Sequence, residues 1–231
     1  MWNKQVILLF HTIKYLKPIQ IYYRLYYFVR NRFFKKSYSK KLSGNIIPLV
    51  WDDIIFSNHS YNKKNTFKFL NINQEFKSNI DWNYKYYGKL WAYNLNYFDF
   101  LNQKEMSSKE GVGLILNYIE NDKTLLDGKE PYPISLRGIN WIKFLSKHKV
   151  KNHLINQGLY NHYQILLKNL EYHLLGNHLL ENGLSLLFGA FYFKDELLYK
   201  QALKILKTEL IEQTLKDGGH FELSPMYHQT M

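Results

Sequence analysis

The sequence predicts an all-α fold in its C-terminal half. Apolar residues recur at helical spacing from about residue 107 to residue 216, and only short segments separate the successive runs. Hydrophobic residues make up 46% of the chain, which is enough for a sizeable core. Short links between helices favour antiparallel hairpins packed side by side. Such hairpins can close into a bundle, a solenoid or an α/α toroid, and the periodicity does not decide among them.

The N-terminal segment, residues 1–36, predicts two amphipathic helices. Residues 3–16 have helical apolar spacing, and Pro18 suits the first turn of a second helix that runs to about Phe34. The second helix carries apolar residues on one side and arginines elsewhere, at Ile21, Leu25, Phe28 and Val29 and at Arg24, Arg30 and Arg32. A basic amphipathic helix can lie on a membrane surface. It can equally be a packing helix with a solvated face, which is the interpretation we favour.

Residues 37–106 are predicted to be an irregular connecting region. Residues 37–80 are polar and show little periodicity, although the run from Ile46 to Val50 is compatible with a brief strand. We therefore divide the chain into the N-terminal helices at 1–36, this connecting region, and a helical domain at 107–231.

Helix boundaries in the last part follow from capping signals. The predicted helices cover residues 107–120, 134–148, 152–175, 177–193 and 195–216. Ser107 or Ser108 caps the first, Gly176 is the predicted C-cap of the third, and Asp195 is the predicted N-cap of the last. The sequence Asp217-Gly218-Gly219 then predicts the end of this last helix.

The net charge of +12 favours an anionic partner. The excess is heaviest near the N-terminus, and nucleic acid, anionic lipid and acidic polysaccharide would all satisfy it. Scattered solvated lysines would also account for the charge. Aromatic residues make up 17% of the chain, which fits either biased codon usage or a groove that stacks on sugar rings. Of these partners we expect acidic polysaccharide, with peripheral membrane contact through the basic helices and no nucleic acid.

The absence of cysteine excludes disulfides and zinc–thiolate sites. The apolar run from Val6 to Phe10 is too short for a signal-peptide core, and no stretch reaches the ~20 apolar residues of a membrane span. These features are compatible with a cytoplasmic location, and they do not otherwise determine the compartment.

Three clusters of polar residues are candidates for chemistry. The first, Gly176–Gly183, places Asn177 and Glu181 on one helix face with His178 beside them. The second runs from Asp217 to His228 and contains His220, Glu222 and Tyr227. The third, Ser135–Trp141, puts Arg137 near an aromatic ring at a helix start. Helix capping, a buried core histidine and a surface ion pair are the structural alternatives for these residues.

A metal site is an alternative use of the same histidines and carboxylates. His178 and Glu181 are three residues apart, and His220, Glu222 and His228 cluster later in the chain. Because neither a His-Glu-x-x-His motif nor a second Glu-x-x-His helix is present, we predict no metal and no cofactor.

The same residues resemble the heparinase II/III-like polysaccharide lyases, a group that includes relatives of alginate lyases. Gly176-Asn177-His178 with Glu181 looks like the active-site helix of that family, and the segment ending in Tyr227-His228 looks like the one that bears its catalytic tyrosine. Ser135, Arg137, Asn140 and Trp141 look like its arginine-bearing helix. Residues 90–100 resemble the stretch that leads into its helical ring.

The resemblance implies an incomplete α/α toroid, cut before a C-terminal β-sandwich that would be encoded separately. It implies Asn177, His178 and Tyr227 as catalytic residues for β-elimination at a uronic acid. Substrate-binding residues would be Arg137, Trp141, Glu181, His220, Glu222 and His228. It also suggests that the chain is a fragment with reduced activity of its own, and family members are often periplasmic. The alternative is a non-catalytic glycan-binding protein, or an accessory protein of surface-polysaccharide synthesis, on the same fold.

Overall fold

The structure is a computed structural model that describes residues 8, 11, 13–34, 38–51 and 55–224. Its helices are α1 (Pro18–Phe33), α2 (Lys89–Tyr97), α3 (Ser108–Glu120), α4 (Pro131–Lys147), α5 (His153–Lys168), α6 (Gly176–Phe193) and α7 (Glu196–Gln213). The strands are β1 (Tyr61–Asn62), β2 (Thr66–Phe69) and β3 (Ile72–Glu75). The fold is mostly helical, as predicted. Across the described ranges, none of the helices combines the length and the apolar character needed to cross a bilayer.

Helices α2, α4 and α6 lie side by side and run in the same direction. The rings of Tyr132 and His178 pack at 4.5 Å near the starts of α4 and α6, and Ser135 accepts a hydrogen bond from Asn182 one turn later. On the other side of α4, Arg137 donates to the Asn96 carbonyl of α2. The contacts of α2 with α4 run in the same order, from Lys89 with Glu130 to the Tyr97 carbonyl with the Asn140 amide. The three helices are therefore parallel neighbours in one layer.

Helices α3, α5 and α7 run in the opposite direction, because their contacts with α4 and α6 occur in reversed order. The contacts are Gly111–Phe144 and Tyr118–Trp141 for α3, Asn156–Tyr192 and Tyr163–Ser185 for α5, and Tyr199–Phe191 and Ile205–Gly183 for α7. Tyr163 of α5 packs against both Gly138 of α4 and Gly189 of α6, at sites where an added Cβ would come within 3.0 Å of its ring. The later half of α7 lies against Gly183, near the start of α6. Sequential helices are therefore antiparallel hairpins that alternate between two layers, as the short links predict.

The core lies between these two layers and continues under the small sheet. Trp91, Trp141, Tyr118, Tyr163 and Phe144 are among the largest fully buried side chains. The Trp141 ring meets the rings of Tyr118 and Phe98 edge to face, an arrangement that stabilises aromatic pairs beyond the area they bury.

The connecting region is more regular than predicted. Within residues 37–106 the structure contains helix α2 and an antiparallel sheet in the order β1-β2-β3. The two turns of the sheet use positive φ angles at Lys64 and Asn65 and at Leu70 and Asn71. Neither pair carries the Asn-Gly or Asp-Gly signature of a tight hairpin, so sequence reasoning missed both. The strand suggested for Ile46–Val50 is wrong, since those residues form no strand.

Several helix boundaries differ from the predicted ones. The caps at Ser107 and Asp195 are confirmed, because each side chain accepts a hydrogen bond from the first turn of its helix. The third predicted helix ends at Lys168 rather than residue 175, and Gly176 begins α6 instead of capping α5. The helix predicted for residues 3–16 lies mostly outside the described residues. The second N-terminal helix is present as α1.

Candidate active site

The first turn of α6 begins at an unusual backbone junction. Leu175 and Gly176 have φ angles of 63° and 59°, and a leucine rarely adopts such a value. Strained backbone of this kind clusters at functional sites. The junction turns the chain sharply, so Asn177 and His178 lie partly exposed on the first turn. The Asn177 side chain forms no hydrogen bond to any described residue, and it does not cap the helix.

Glu171 fixes the orientation of His178. Its Oε1 lies 3.1 Å from His178 Nδ1, and its Oε2 accepts a hydrogen bond of 2.9 Å from the Asn182 amide. The side-chain oxygen Oδ1 of Asn182 in turn accepts a hydrogen bond of 2.8 Å from the Glu171 backbone N–H. A carboxylate on Nδ1 favours the tautomer with the proton on that nitrogen, which leaves Nε2 as the atom available to a ligand.

A row of tyrosines forms one wall beside His178. Tyr132 packs on the His178 ring, Tyr97 lies 5.9 Å from Tyr132, and Tyr93 lies 6.0 Å from Tyr97 between ring centroids. The Tyr93 hydroxyl donates to Glu130. Burial raises the pKa of Tyr93 and of Tyr97 well above the usual value. Both phenols therefore remain protonated and can act as hydrogen-bond donors rather than as bases.

Glu181 and Asp99 form an acidic pair on the same face. Burial, reinforced by the nearby charge of Asp99, raises the pKa of Glu181 to about 7. Burial also raises the pKa of Asp99, although the hydrogen bond from Asn140 and the charge of Lys143 oppose the shift. A carboxyl whose pKa lies near neutral pH is suited to proton transfer.

We call the surface that carries Asn177, His178, Glu181, Asp99 and the tyrosines the cleft. Arg137 lies in the core and not in this cleft. Its side chain is fully buried, donates to the carbonyls of Asn96 at 3.0 Å and Gly128 at 2.8 Å, and stacks over the Tyr118 ring at 4.7 Å. The prediction that Arg137 binds substrate does not fit this position, because the backbone carbonyls of two other segments already hold the guanidinium.

Trp141 is likewise a core residue. It is fully buried, and its ring meets Phe98 at 5.4 Å and Tyr118 at 5.9 Å. A ring without exposed area cannot stack on a sugar, so the predicted substrate contact of Trp141 does not fit its burial either. The neighbouring Asn140 reaches the cleft instead, since its amide donates to Asp99.

A hairpin after α7 holds His220 near the start of α6. His220 is buried, and its Nε2 lies 3.3 Å from Gln213 Oε1. Gln213 donates to Glu209 at 2.8 Å, and Glu209 accepts from the backbone of Gly176. This series of contacts links the hairpin to the first turn of α6, so His220 stabilises that turn from the side of the core. Its predicted contact with substrate does not fit this burial.

The remaining residues of the second cluster are only partly described. Glu222 is exposed beyond the hairpin, and the structure does not bring it to the α6 turn. Tyr227 and His228 lie outside the described residues, so their predicted roles stay predictions. Among the described residues there is no group of His, Asp and Glu side chains that could hold a metal ion.

The cleft face continues along α4 and α6 toward a cavity of about 230 Å³. The cavity is lined by Trp51, Ile55, Asn102, Ile139, Lys143, Lys147 and Phe188. Trp51 and Phe188 stack at 5.6 Å, and two lysines stand beside them. Aromatic rings next to cationic groups suit a ligand that has both apolar sugar faces and negative charges.

Residues 134–231 match the family model described as Heparinase II/III N-terminus. This part of the chain is a heparinase II/III-like N-terminal region. It begins inside α4 and includes α6 with Asn177, His178 and Glu181, as well as the hairpin that carries His220. No curated protein and no solved structure gave a significant match to the chain.

Sequence reasoning missed several members of the cleft. Glu171, Asp99, Tyr132 and Lys143 contribute to it, and two of them lie outside the matched region. Asp99 lies in the stretch 90–100 that resembles the family, and this resemblance is a signal that could have found it. Glu171 carries no such signal, because it comes from a loop seven residues before His178 and no periodic pattern pairs the two.

Proposed function

We propose that this protein is a polysaccharide lyase that acts by β-elimination on a uronic-acid-containing polysaccharide. The observation that carries the proposal is the α6 face. Asn177, His178 and Glu181 lie on one partly exposed face within a heparinase II/III-like region, beside a wall of tyrosines.

The first chemical requirement is to neutralise the uronate carboxylate. The proton on the ring carbon next to that carboxylate is only weakly acidic until the negative charge is balanced. The Asn177 amide would donate a hydrogen bond to the carboxylate. His178 would donate a second one from Nε2 in its doubly protonated form, and the two together would stabilise the enolate-like intermediate. Glu171 would act as a positioning residue that holds the His178 ring at a fixed angle. Arg137 takes no part in this step, because its guanidinium is buried.

The second requirement is a base for the carbon-bound proton and an acid for the leaving oxygen. Tyr227 is the proposed acid, and it can serve as base if a cationic neighbour lowers its pKa. Tyr93 and Tyr97 are unsuited to the role of base because burial raises their pKa values. The glycosidic bond then breaks without water and leaves an unsaturated sugar.

The arrangement of the helices supports an arc of an α/α toroid as the scaffold. Parallel neighbours α2, α4 and α6 form one layer, and the return helices form the other, which is how hairpins curve into a ring. The cleft residues all project from the first layer or its adjoining loops. We propose that this layer is the inner wall and that it faces the polysaccharide.

The test is an assay for unsaturated uronate products, followed by ultraviolet absorbance of the new double bond. The 231-residue chain would be incubated with heparan sulfate, alginate and other uronate polymers. We expect Asn177→Ala and Tyr227→Phe each to reduce the rate by at least about 100-fold, as loss of one electrostatic or acid–base contributor does.

Tyr86→Phe is the matched control, because it removes a hydroxyl from a tyrosine that is 82% exposed and away from α6. Product formation that survives Asn177→Ala unchanged would refute the assignment. Saturable binding of these polymers without any unsaturated product would instead support a non-catalytic glycan-binding protein.

A further inference from the structure

Helix α1 docks on the protein through a polar face. The side chains that turn inward are Gln20, Tyr23, Tyr27 and Arg30, spaced by three or four residues. The Gln20 amide donates to the Leu174 carbonyl at 3.0 Å, and the Tyr27 hydroxyl donates to the Leu170 carbonyl at 2.6 Å. Their partners all belong to the end of α5 and the loop before α6. Hydrogen bonds and ring stacking therefore anchor the helix, rather than an apolar core.

The opposite side of α1 is apolar and aromatic. We call it the α1 outer face, and it consists of Tyr22, Leu25, Tyr26, Val29 and Phe33. These side chains are between 44% and 72% exposed, and none of the helix's residues is buried. The helix is thus inverted relative to a surface helix of a globular protein, which turns its apolar stripe toward the core. A continuous apolar surface of this kind marks an interaction site.

Positive charge is concentrated around the same helix. Residues 1–51 contain ten lysines and arginines and no acidic residue, the first being Asp52. This segment therefore contributes +10, while the remaining 21 basic and 19 acidic residues contribute only +2 of the net +12. Arg24 and Arg32 are exposed beside the α1 outer face.

We propose that the α1 outer face binds the surface of an anionic lipid bilayer, with the helix axis in the plane of the interface. Its tyrosines and phenylalanine would sit at the level of the headgroups, where rings with one apolar and one polar end are favoured. Arg24 and Arg32 would pair with lipid phosphates. The helix lies on the bilayer and does not span it.

Lipid fits this face better than the two other possible occupants. A soluble polyanion would bind the arginines but leave the five apolar side chains in water. A second copy of the chain would cover the apolar side chains, but symmetric pairing would bring like charges from both copies together. Only an anionic bilayer satisfies the apolar and the basic groups at once.

Docking through the loop before α6 has a geometric consequence. Because α1 contacts residues 169–174, a helix fixed at the bilayer would hold the Asn177 turn at a constant orientation to the lipid surface. Binding of α1 to a bilayer does not depend on catalysis, so it is expected whether or not the protein has the proposed lyase activity.

The experiment is co-sedimentation of the 231-residue chain with vesicles of phosphatidylcholine and phosphatidylglycerol in equal amounts. Vesicles of phosphatidylcholine alone serve as the neutral comparison. We expect the triple variant Tyr22→Ser, Leu25→Ser, Val29→Ser to reduce the partition coefficient for the anionic vesicles at least tenfold. The double variant Arg24→Gln, Arg32→Gln should weaken binding several-fold, and salt should do the same as the Debye length falls from ~10 Å at 0.1 M to ~3 Å at 1 M.

The matched control removes equally exposed apolar side chains elsewhere, as Leu154→Ser, Leu197→Ser, Ile211→Ser. It should bind the vesicles as the unchanged chain does, and circular dichroism should show that all variants remain folded. Equal vesicle binding by the Tyr22 triple variant would overturn the proposal. So would sedimentation velocity showing that the triple variant abolishes a dimer while vesicle binding persists, or binding to heparin with none to anionic vesicles.

Discussion

Glu181 is the residue whose ionisation depends most on its position in the cleft. Its pKa is raised to about 7 by burial and by Asp99, so the folded state binds its proton more tightly than the unfolded chain does. The stabilisation from this protonated form is fully present below pH ~4.3, the unfolded value, and is lost as pH rises through about 7.

We therefore expect Glu181→Gln to be more stable than the unchanged chain at pH 8, by on the order of 2 kcal/mol, and about equally stable at pH 4. Urea unfolding at several pH values would measure the difference. Comparing the two chains removes the opposite contribution of His162, whose pKa burial lowers to about 4. A difference that does not change with pH would show that Glu181 is ionised like a surface carboxyl.

Arg137 is a buried cation that ties three segments together. Replacing it with methionine keeps much of the volume but leaves the Asn96 and Gly128 carbonyls without a donor. We expect Arg137→Met to lower the free energy of unfolding by about 2–4 kcal/mol, because each buried orphan acceptor costs about 1–3 kcal/mol.

Denaturant unfolding without any ligand tests this effect on Arg137. Arg32→Met is the control, since that arginine is exposed and its loss should change stability by about 0.5 kcal/mol or less. An unchanged unfolding free energy for Arg137→Met, with only saccharide binding weakened, would restore Arg137 as a ligand contact.

At the scale of the helices, glycines set how closely the two layers approach. A Cβ on Gly189 of α6 would come within 2.6–2.9 Å of three ring atoms of Tyr163, which is fully buried in α5. Gly113 of α3 faces open space, with no atom within 4 Å of an added Cβ. The two positions make a matched pair for the same substitution.

We expect Gly189→Ala to destabilise the protein by about 1–3 kcal/mol, because the ring cannot move without disturbing the core. Gly113→Ala should stabilise it by about 0.5–1 kcal/mol, because alanine lowers the entropy cost of an exposed helix position. Thermal unfolding followed by circular dichroism would show melting temperatures that move in opposite directions. A stabilised Gly189→Ala would mean that α5 and α6 are further apart than described.

At the scale of the whole molecule, residues 38–51 form a segment without helix or strand that is hydrogen-bonded to α5 and α6. We call this segment the strap. Gln157 of α5 holds its first part, since its amide accepts from Leu42 N–H at 2.9 Å and donates to the Lys40 carbonyl at 2.8 Å. Further along, Ile47 N–H donates to the Tyr192 carbonyl of α6 at 2.9 Å.

We expect Gln157→Ala to speed trypsin cleavage after Lys40 and Lys41 by roughly tenfold, since losing two hydrogen bonds of about 1 kcal/mol each makes local opening more frequent. Mass spectrometry of the early fragments would measure the rate. Gln201→Ala is the control, because Gln201 bonds Tyr172 and has no contact with the strap. Equal cleavage rates in both variants would show that other contacts hold the strap.

Local signals along the chain were sufficient for α1, for α3 to α7 and for the identity of the α6 motif, but not for α2 or for the end of α5. Helical spacing, Ser107 and Asp195 predicted the hairpins because these signals act within one or two turns. The resemblance at Asn177, His178 and Glu181 led to the family that matches residues 134–231. A motif made of residues adjacent in the chain can be recognised from the sequence without knowledge of the tertiary structure.

Only the tertiary structure decided which polar residues face the cleft and which face the core. Arg137 and Trp141 stand in a motif, yet contacts with α2 and α3, up to about forty residues earlier in the chain, bury them. Glu171 reaches His178 because α5 ends early and its loop folds back onto Asn182. The same holds for α1, whose periodicity shows two faces but not which one turns inward. Burial is set by partners that are distant in sequence, and periodicity carries no information about them.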